Sequence, residues 1–262
     1  MAAPDWTRLT APPGTRVVVA GGAGDIGRAV VGACRANGHE VAVLDLARSL
    51  AKHPAPPGTR AIALDATDPA AVDAAFREIE AAWGAADALV FLVGFTIAPP
   101  ARIEALSPRQ WDEVISGNLG SAYLVARAAL PLLRKGRDPA IVAVSSGLGF
   151  NVLPGFGPYA AAKAGLVGLT KALAIENAPL IRANAVAPSA IETAFMKGGT
   201  GRGPDDPAAA AWFQGADYAR LFPLGRLAEV DDVVGPILFL MGPAARFMTG
   251  QTLHVNGGRL TP

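Results

Sequence analysis

The run Arg16-Val17-Val18-Val19-Ala20, continued by Gly21-Gly22-Ala23-Gly24-Asp25-Ile26-Gly27, decides how this chain folds. Three consecutive valines between small or polar neighbours make a short buried strand. The glycines that follow turn the chain tightly into a helix running from about Ile26 to Asn37, which Gly38 stops. Glycine also lets backbone N–H groups approach a pyrophosphate, whose charge the helix N-terminus then faces. The pattern Gly22-x-Gly24-x-x-Gly27 is weak alone. It becomes specific when it follows a strand and an acid closes the next one. Asp45 supplies that acid, 18 residues past Gly27, at the end of a second strand, Glu40 to Leu44. A carboxylate there accepts both ribose hydroxyls and repels a 2′-phosphate, so NAD (NADH) is expected and NADP is less favoured.

Outward from this stretch, apolar runs alternate with helical ones. Further strands are expected at Arg60 to Leu64, Ala88 to Val93, Ala140 to Val144, Ile181 to Val186 and Thr252 to Val255. Helices are expected at Asp68 to Trp83, with Asp68 capping and Pro69 in the first turn, and from about Ser107 to Leu133, opened by Ser107-Pro108. Two more run from Tyr159 to Asn177 and from Glu229 to Leu240. Strands that are apolar throughout belong to a parallel sheet covered on both faces. Right-handed crossovers make it doubly wound, an α/β Rossmann-type sheet of about seven strands. Residues 1–15 form a Pro/Ala-rich N-terminal extension and 16–262 one catalytic domain, with no linker or internal repeat. Thr193 to Phe222, rich in Gly, Ala and Pro, reads as a flexible insertion.

Composition narrows the function. With 51% hydrophobic and 17% charged residues the chain has a well-buried interior. A formal net charge of +1 without a basic run gives no reason to expect nucleic acid or an anionic membrane as partner. The single cysteine, Cys34, allows no internal disulfide, fits a cytoplasmic location and is expected as a small core residue. The first fifteen residues lack the basic and apolar segments of a signal peptide, and no apolar run reaches eighteen residues. No metal site is expected.

The chemistry is carried by Tyr159-Ala160-Ala161-Ala162-Lys163, with Ser146 thirteen residues upstream. Positions i and i+4 stack on one helix face, which places a phenol beside an ammonium. The ammonium is expected to favour the phenolate and lower the tyrosine pKa, poising a proton acceptor for carbinol oxidation. Singly, Tyr159 and Lys163 would be an exposed amphipathic pair, Ser146 a strand-end hydroxyl bonded to backbone and Asn118 a helix-bend residue.

Together these residues resemble the short-chain dehydrogenase/reductase family in its single-domain branch. The resemblance covers about Arg16 to Gly258. It rests on the Gly-rich turn, Asp65, Asn118, Ser146 with Tyr159 and Lys163, Asn184 to Pro188, and Thr249-Gly250-Gln251 to Val255-Asn256-Gly257-Gly258. It implies Tyr159 as general acid/base, and Lys163 on the nicotinamide ribose. It implies Ser146, rather than Ser145, on the substrate oxygen, and Asn118 holding a water in a proton relay through Lys163. It further implies a cofactor bordered by Gly21, Gly24, Asp25, Ile26, Gly27, Asp45, Leu46, Gly94 and Pro188, with Asp65 and Ala66 at the adenine. Ile191 and Thr193 would hold the carboxamide. A homotetramer or homodimer is also implied, the two long helices packing through Ala161, Ala162, Ala164, Gly165 and Gly168.

Three positions depart from the family pattern. Phe91-Leu92-Val93-Gly94 replaces Asn-Asn-Ala-Gly, Asp25 takes the place of the middle glycine, and Pro188-Ser189 replaces Pro-Gly. Asp25 puts a negative charge near the expected phosphates, where it would face solvent or the helix's positive end. Arg28 and Arg48 are nearby cations, and Arg48 could reach a 2′-phosphate. The expected substrate walls are Phe95, Thr96 and Ile97, then Leu148, Phe150, Val152 and Leu153, then Phe195, Met196, Trp212, Phe213 and Tyr218. This set suits a neutral hydrophobic or cyclic alcohol or ketone. Lys197, Arg202 and Arg220, if turned inward, would suit an anionic one. The expected activity is therefore an NAD(H)-dependent oxidoreductase for a secondary alcohol or ketone. An NADPH-dependent 3-oxoacyl reductase and a non-catalytic nucleotide-binding regulator are the alternatives.

Overall fold

The computed structural model describes residues 9–197 and 219–260. One parallel sheet of seven strands runs through it: β1 Arg16–Ala20, β2 Glu40–Asp45, β3 Arg60–Ala63, β4 Ala88–Phe91, β5 Ala140–Val144, β6 Arg182–Pro188 and β7 Thr252–Val255. The order is β3-β2-β1-β4-β5-β6-β7, so the winding reverses between β1 and β4. Ligands of such sheets bind beyond the carboxyl ends of the strands at that reversal. The register is regular, with Val17 opposite Val41 on one side and Ala88 on the other.

The helices are α1 Asp25–Ala36, α2 Ala47–Lys52, α3 Pro69–Trp83, α4 Pro108–Ile115, α5 Ser121–Leu133, α6 Gly157–Asn177 and α7 Asp231–Met241. Successive β1 residues point to opposite faces. Val17 and Val19 pack with Val30 of α1 and Ile237 of α7. Val18 and Ala20 face the layer formed by Phe76, Val125 and Leu166 of α3, α5 and α6. Both layers are closed to water, which is why the strands carry no polar alternation. Cys34 is fully buried in the first layer, and burial pushes its thiol up to about 12.

Local signals act as expected at several ends. The Asp68 carboxylate accepts from the amides of Ala70 (2.9 Å) and Ala71 (3.3 Å). Ser107 and Gln110 form a reciprocal capping box ahead of α4. The expected helix from Ser107 to Leu133 is interrupted by a π-helical turn, Ser116–Gly120, which carries Asn118. α2 was not expected, and it buries none of its six residues. At the far end of the sheet, Asp87 accepts from the Arg16 side chain (2.8 and 3.0 Å), the Arg16 amide (2.9 Å) and the Arg137 amide (2.7 Å). Burial alone would raise this carboxyl, but those donors outweigh it and hold it below its usual value. Most of the Thr193 to Phe222 insertion, including Arg202, Trp212, Phe213 and Tyr218, lies outside the described residues, as does the side chain of Lys197.

Candidate active site

The carboxyl ends of β1 to β6 open into a cavity of about 470 Å³. At one end lies the glycine-rich turn. Gly21 adopts a φ of +83° and its amide donates to the Leu44 carbonyl at 2.8 Å. A Cβ on Gly27 would lie 2.2 Å from the Gly21 carbonyl oxygen, so only glycine lets α1 start this close to the turn. Asp45 closes this end: Oδ2 accepts from the Ala23 amide at 2.9 Å and Oδ1 from the Leu46 amide at 2.8 Å. The carboxylate thereby joins the end of β2 to the glycine turn. Leu46, Asp65 and Ala66 line the same end, with Arg48 of α2. Asp65 Oδ1 accepts from the amide and hydroxyl of Thr67, at 2.9 and 2.7 Å.

At the other end, α6 presents Tyr159 and Lys163 from one face. Ser146 leaves β5 in extended conformation, accepts from the Leu148 amide at 3.1 Å and hydrogen-bonds the Tyr159 phenol. Ser145 points elsewhere and donates to the Lys163 carbonyl at 2.8 Å, fastening α6 to β5. All three of Ser146, Tyr159 and Lys163 line the cavity. The expected lowering of the tyrosine pKa is corrected here. Lys163 Nζ donates to the carbonyls of Val144 (3.0 Å) and Val93 (3.4 Å) and lies 5.6 Å from the Tyr159 ring centroid. Burial dominates both groups, so the phenol is pushed up to about 12, with Ser146 opposing, and the ammonium falls to about 7.

Asn118 is completely buried. Its Nδ2 donates to the carbonyls of Phe95 and Val114, both at 2.9 Å, and its Oδ1 accepts from the Phe95 amide at 3.3 Å. The side chain thus fixes the segment leaving β4, and Asn118 is not among the residues lining the cavity. Gly94 fits between these groups: a Cβ there would lie 2.8 Å from Lys163 Nζ and 2.9 Å from Asn118 Oδ1.

The departures from the pattern leave the cavity open. Phe91 turns into the layer below the sheet, 2% exposed, while Leu92 and Val93 line the cavity. Asp25 stands on the first turn of α1 with both oxygens engaged. Oδ1 pairs with Arg28 at 2.7 Å, and Oδ2 accepts from the Ala194 amide at 2.7 Å. Its charge is therefore balanced locally rather than directed at the cradle.

Pro188 at the end of β6 lines the cavity, and beyond it Ile191 and Thr193, with Phe195 and Met196. Phe195 packs against Tyr159 with ring centroids 5.5 Å apart. Phe95, Leu148 and Leu153 also line it. Other expected wall residues do not. Phe150 is exposed and its ring meets His254 at 4.5 Å, Val152 is exposed, and Thr96, Ile97 and Arg220 lie off the cavity. Phe156, Asn151, Asn256 and Arg259 line it without having been expected there. The motif Asn256-Gly257-Gly258 was visible in the sequence, though not its role: the Asn256 side chain binds Leu260 and Gly258 and holds the terminal turn against the cavity. In α6, Ala161, Ala164 and Gly168 face outward, whereas Ala162 is buried and a Cβ on Gly165 would meet Leu119 at 2.7 Å.

A buried phenol beside a lysine, in a cavity that begins at a glycine-rich first turn, is the arrangement of a Rossmann-type oxidoreductase. A family model described as enoyl-(acyl carrier protein) reductase matches residues 21–259. Among curated relatives, the 3-oxoacyl-[acyl-carrier-protein] reductase FabG of Salmonella typhimurium is 32% identical over 249 residues, 94% of this chain and 97% of that one. FabG of Escherichia coli is 34% identical over 200 residues, 76% of this chain and 77% of that protein. Among solved structures, ligand-free aldohexose dehydrogenase of Thermoplasma acidophilum superposes with a TM-score of 0.83 at 28% identity, covering 95% of this chain and 98% of that one. A glucose/ribitol dehydrogenase of Brucella melitensis gives 0.84 at 28% identity, with 97% and 99% covered. The chain belongs to the short-chain dehydrogenase/reductase family and is an oxidoreductase of it.

Proposed function

We propose that the chain interconverts a secondary alcohol and a ketone with NAD(H), using Tyr159 as proton carrier. The observation that carries this reading is the convergence of Ser146, Tyr159 and Lys163 on one wall of a cavity whose other end is the glycine turn and Asp45. The residues fit a dinucleotide. A Cβ on Gly21 would meet the Leu92–Val93 backbone at 2.9 Å and one on Gly27 the Gly21 carbonyl at 2.2 Å, so glycine keeps the turn tight beside the cavity, and Asp45 stands where ribose hydroxyls need an acceptor. Gly24, Ile26, Leu46, Asp65, Ala66, Gly94, Pro188, Ile191 and Thr193 would border it. When bound, the nicotinamide supplies or accepts the hydride.

The chain's own residues supply the rest. Ser146 orients the substrate oxygen by hydrogen bonding, next to the phenol that it already contacts. Tyr159 gives a proton to that oxygen in reduction and takes one in oxidation. Lys163, pushed toward neutrality by burial, regains its charge when anionic groups share the site, and an ammonium there lowers the phenol. Asn118 holds the Phe95 segment that forms the opposite wall. Phe95, Leu148, Phe195 and Met196 exclude water from the proton path and favour a neutral hydrophobic or cyclic skeleton at the reacting carbon.

A second reading, an NADPH-dependent 3-oxoacyl reductase, is favoured by the relatives named above. Asp45 argues against it through repulsion of a 2′-phosphate. The family resemblance further supports a homodimer or homotetramer in the cytoplasm. Among the described residues no helix is long and apolar enough to cross a membrane. Fluorescence titration of NADH against NADPH, followed by cofactor consumption over ketones and 3-oxoacyl thioesters, tests the reading. Turnover of neutral ketones with NADH is expected. Tighter NADPH binding with thioester turnover replaces it by the second reading, and binding without turnover on either panel replaces it by a regulator.

A further inference from the structure

We infer that Asp25 is a positioning residue that fixes the loop after β6, and through it the cavity wall lying on Tyr159. The inference rests on the reading of this cavity as the site of carbonyl reduction. Asp25 stands at the start of α1, 169 residues before Ala194 in the chain, yet its Oδ2 accepts the Ala194 amide at 2.7 Å. That amide opens the short 3-10 turn Ala194–Lys197. The carboxylate therefore caps this turn from across the cavity mouth, as an N-cap side chain does from within its own segment.

The bond has a defined geometry at both ends. The other oxygen, Oδ1, is held by Arg28 Nη2 at 2.7 Å, and Arg28 Nη1 donates to the Ala23 carbonyl at 3.0 Å. Asp25 is thus braced against the glycine turn. On the loop side, the chain is anchored just upstream by Ala228, whose amide donates to Ala190 at 3.1 Å and whose carbonyl accepts from Glu192 at 3.0 Å. Thr193 lies between these two anchors. Immediately beyond, Phe195 packs on Tyr159 at 5.5 Å and Met196 is buried, its amide donating to the Thr193 carbonyl at 3.1 Å. Without Asp25 the segment Thr193–Met196 keeps only its upstream anchor among these contacts. A glycine at position 25 would retain the cofactor turn and lose the clasp, so the exchange of glycine for aspartate has a structural consequence.

Asp25→Ala removes the acceptor, and Asp25→Asn leaves one oxygen for which the Ala194 amide and Arg28 compete. Ala194→Pro removes the donor at a position where a helical turn tolerates proline. Hydrogen exchange of the full chain, without cofactor, reads the clasp independently of turnover. Peptides covering Ile191 to Met196 should exchange about tenfold faster in Asp25→Ala and Ala194→Pro, with Asp25→Asn between these and the parent. In steady state with NADH and cyclohexanone, or another ketone from the panel that is turned over, KM for the ketone should rise about tenfold in Asp25→Ala while kcat falls less than threefold. Asp25→Asn should fall between Asp25→Ala and the parent. The double variant Asp25→Ala/Ala194→Pro should be no worse than either single change. Unchanged exchange in Asp25→Ala overturns the inference, as do losses that multiply in the double variant. Absence of any ketone turnover in the parent overturns the proposed activity instead, and leaves the exchange comparison to decide the clasp.

Discussion

The Lys163 ammonium donates to the Val144 carbonyl at 3.0 Å, inside a site where the lysine is 2% exposed. Among the described residues the polar contacts of Nζ are two carbonyls, those of Val144 and Val93. Desolvation then favours the neutral amine, and the lysine falls to about 7.

The linkage this creates has a definite sign. The unfolded lysine titrates near 10.5 and the folded one near 7, so between those values the unfolded state binds more protons. Stability should therefore rise with pH across that window, by at most about 1.4 kcal/mol per pH unit, and the penalty is complete below it. Tyr159, raised from 10 to about 12, acts in the opposite sense only above pH 10. Thermal melts of the cofactor-free protein should show Tm increasing from pH 7 to 9, with a smaller slope in Lys163→Met. Equal slopes in the two proteins would mean that the buried amine is not what titrates.

Tyr159→Phe tests the proposed proton carrier. The ring stays against Phe195, and only the hydroxyl bonded to Ser146 is lost. Turnover should fall about 10²- to 10⁴-fold, the usual share of a positioned acid/base group. NADH affinity should change less than about twofold, because the glycine turn and Asp45 are untouched. Full activity in this variant would assign proton transfer to another group.

Much of this arrangement was legible because its signals are local. The valines of β1, the glycines after it and the acid ending β2 are a strand, a turn and a strand end whatever lies elsewhere. The spacing of Tyr159 and Lys163 likewise fixed their shared face. It did not fix their burial, and burial reversed the expected effect on the phenol. The clasp between Asp25 and Ala194 joins distant parts of the chain, so no window of sequence contains it. α2 offered neither length nor an apolar stripe. The π turn at Asn118 arises within a continuous helical pattern, where the side chain bonds Phe95 across the cavity wall.

Asp87 separates stability from chemistry. It receives four hydrogen bonds from Arg16 and Arg137 at the amino ends of β1 and β4, opposite the cavity. Asp87→Ala leaves the Arg16 guanidinium and two amides without their acceptor, and should cost about 3–5 kcal/mol in denaturant unfolding. NADH affinity of the folded fraction should be unaffected, since no cavity residue is touched. A loss below about 1 kcal/mol would place this pair with ordinary surface ion pairs.

The proposed preference for NADH rests on Asp45. Its two oxygens accept from the amides of Ala23 and Leu46, which hold the carboxylate beside the glycine turn and keep it from turning away. A 2′-phosphate placed there meets a fixed like charge, and even in a partly solvated site such repulsion amounts to more than about 1.4 kcal/mol. The parent should therefore prefer NADH in kcat/KM, and Asp45→Ser should reduce the NADH-to-NADPH ratio at least about tenfold. Arg48 lines the same end and gives the phosphate a partner once the carboxylate is gone. Adding Arg48→Ala to Asp45→Ser should then lower NADPH use again while leaving NADH use near that of the single variant. A ratio that does not move on removing the carboxylate would transfer the selection of cofactor from Asp45 to the cations of α2.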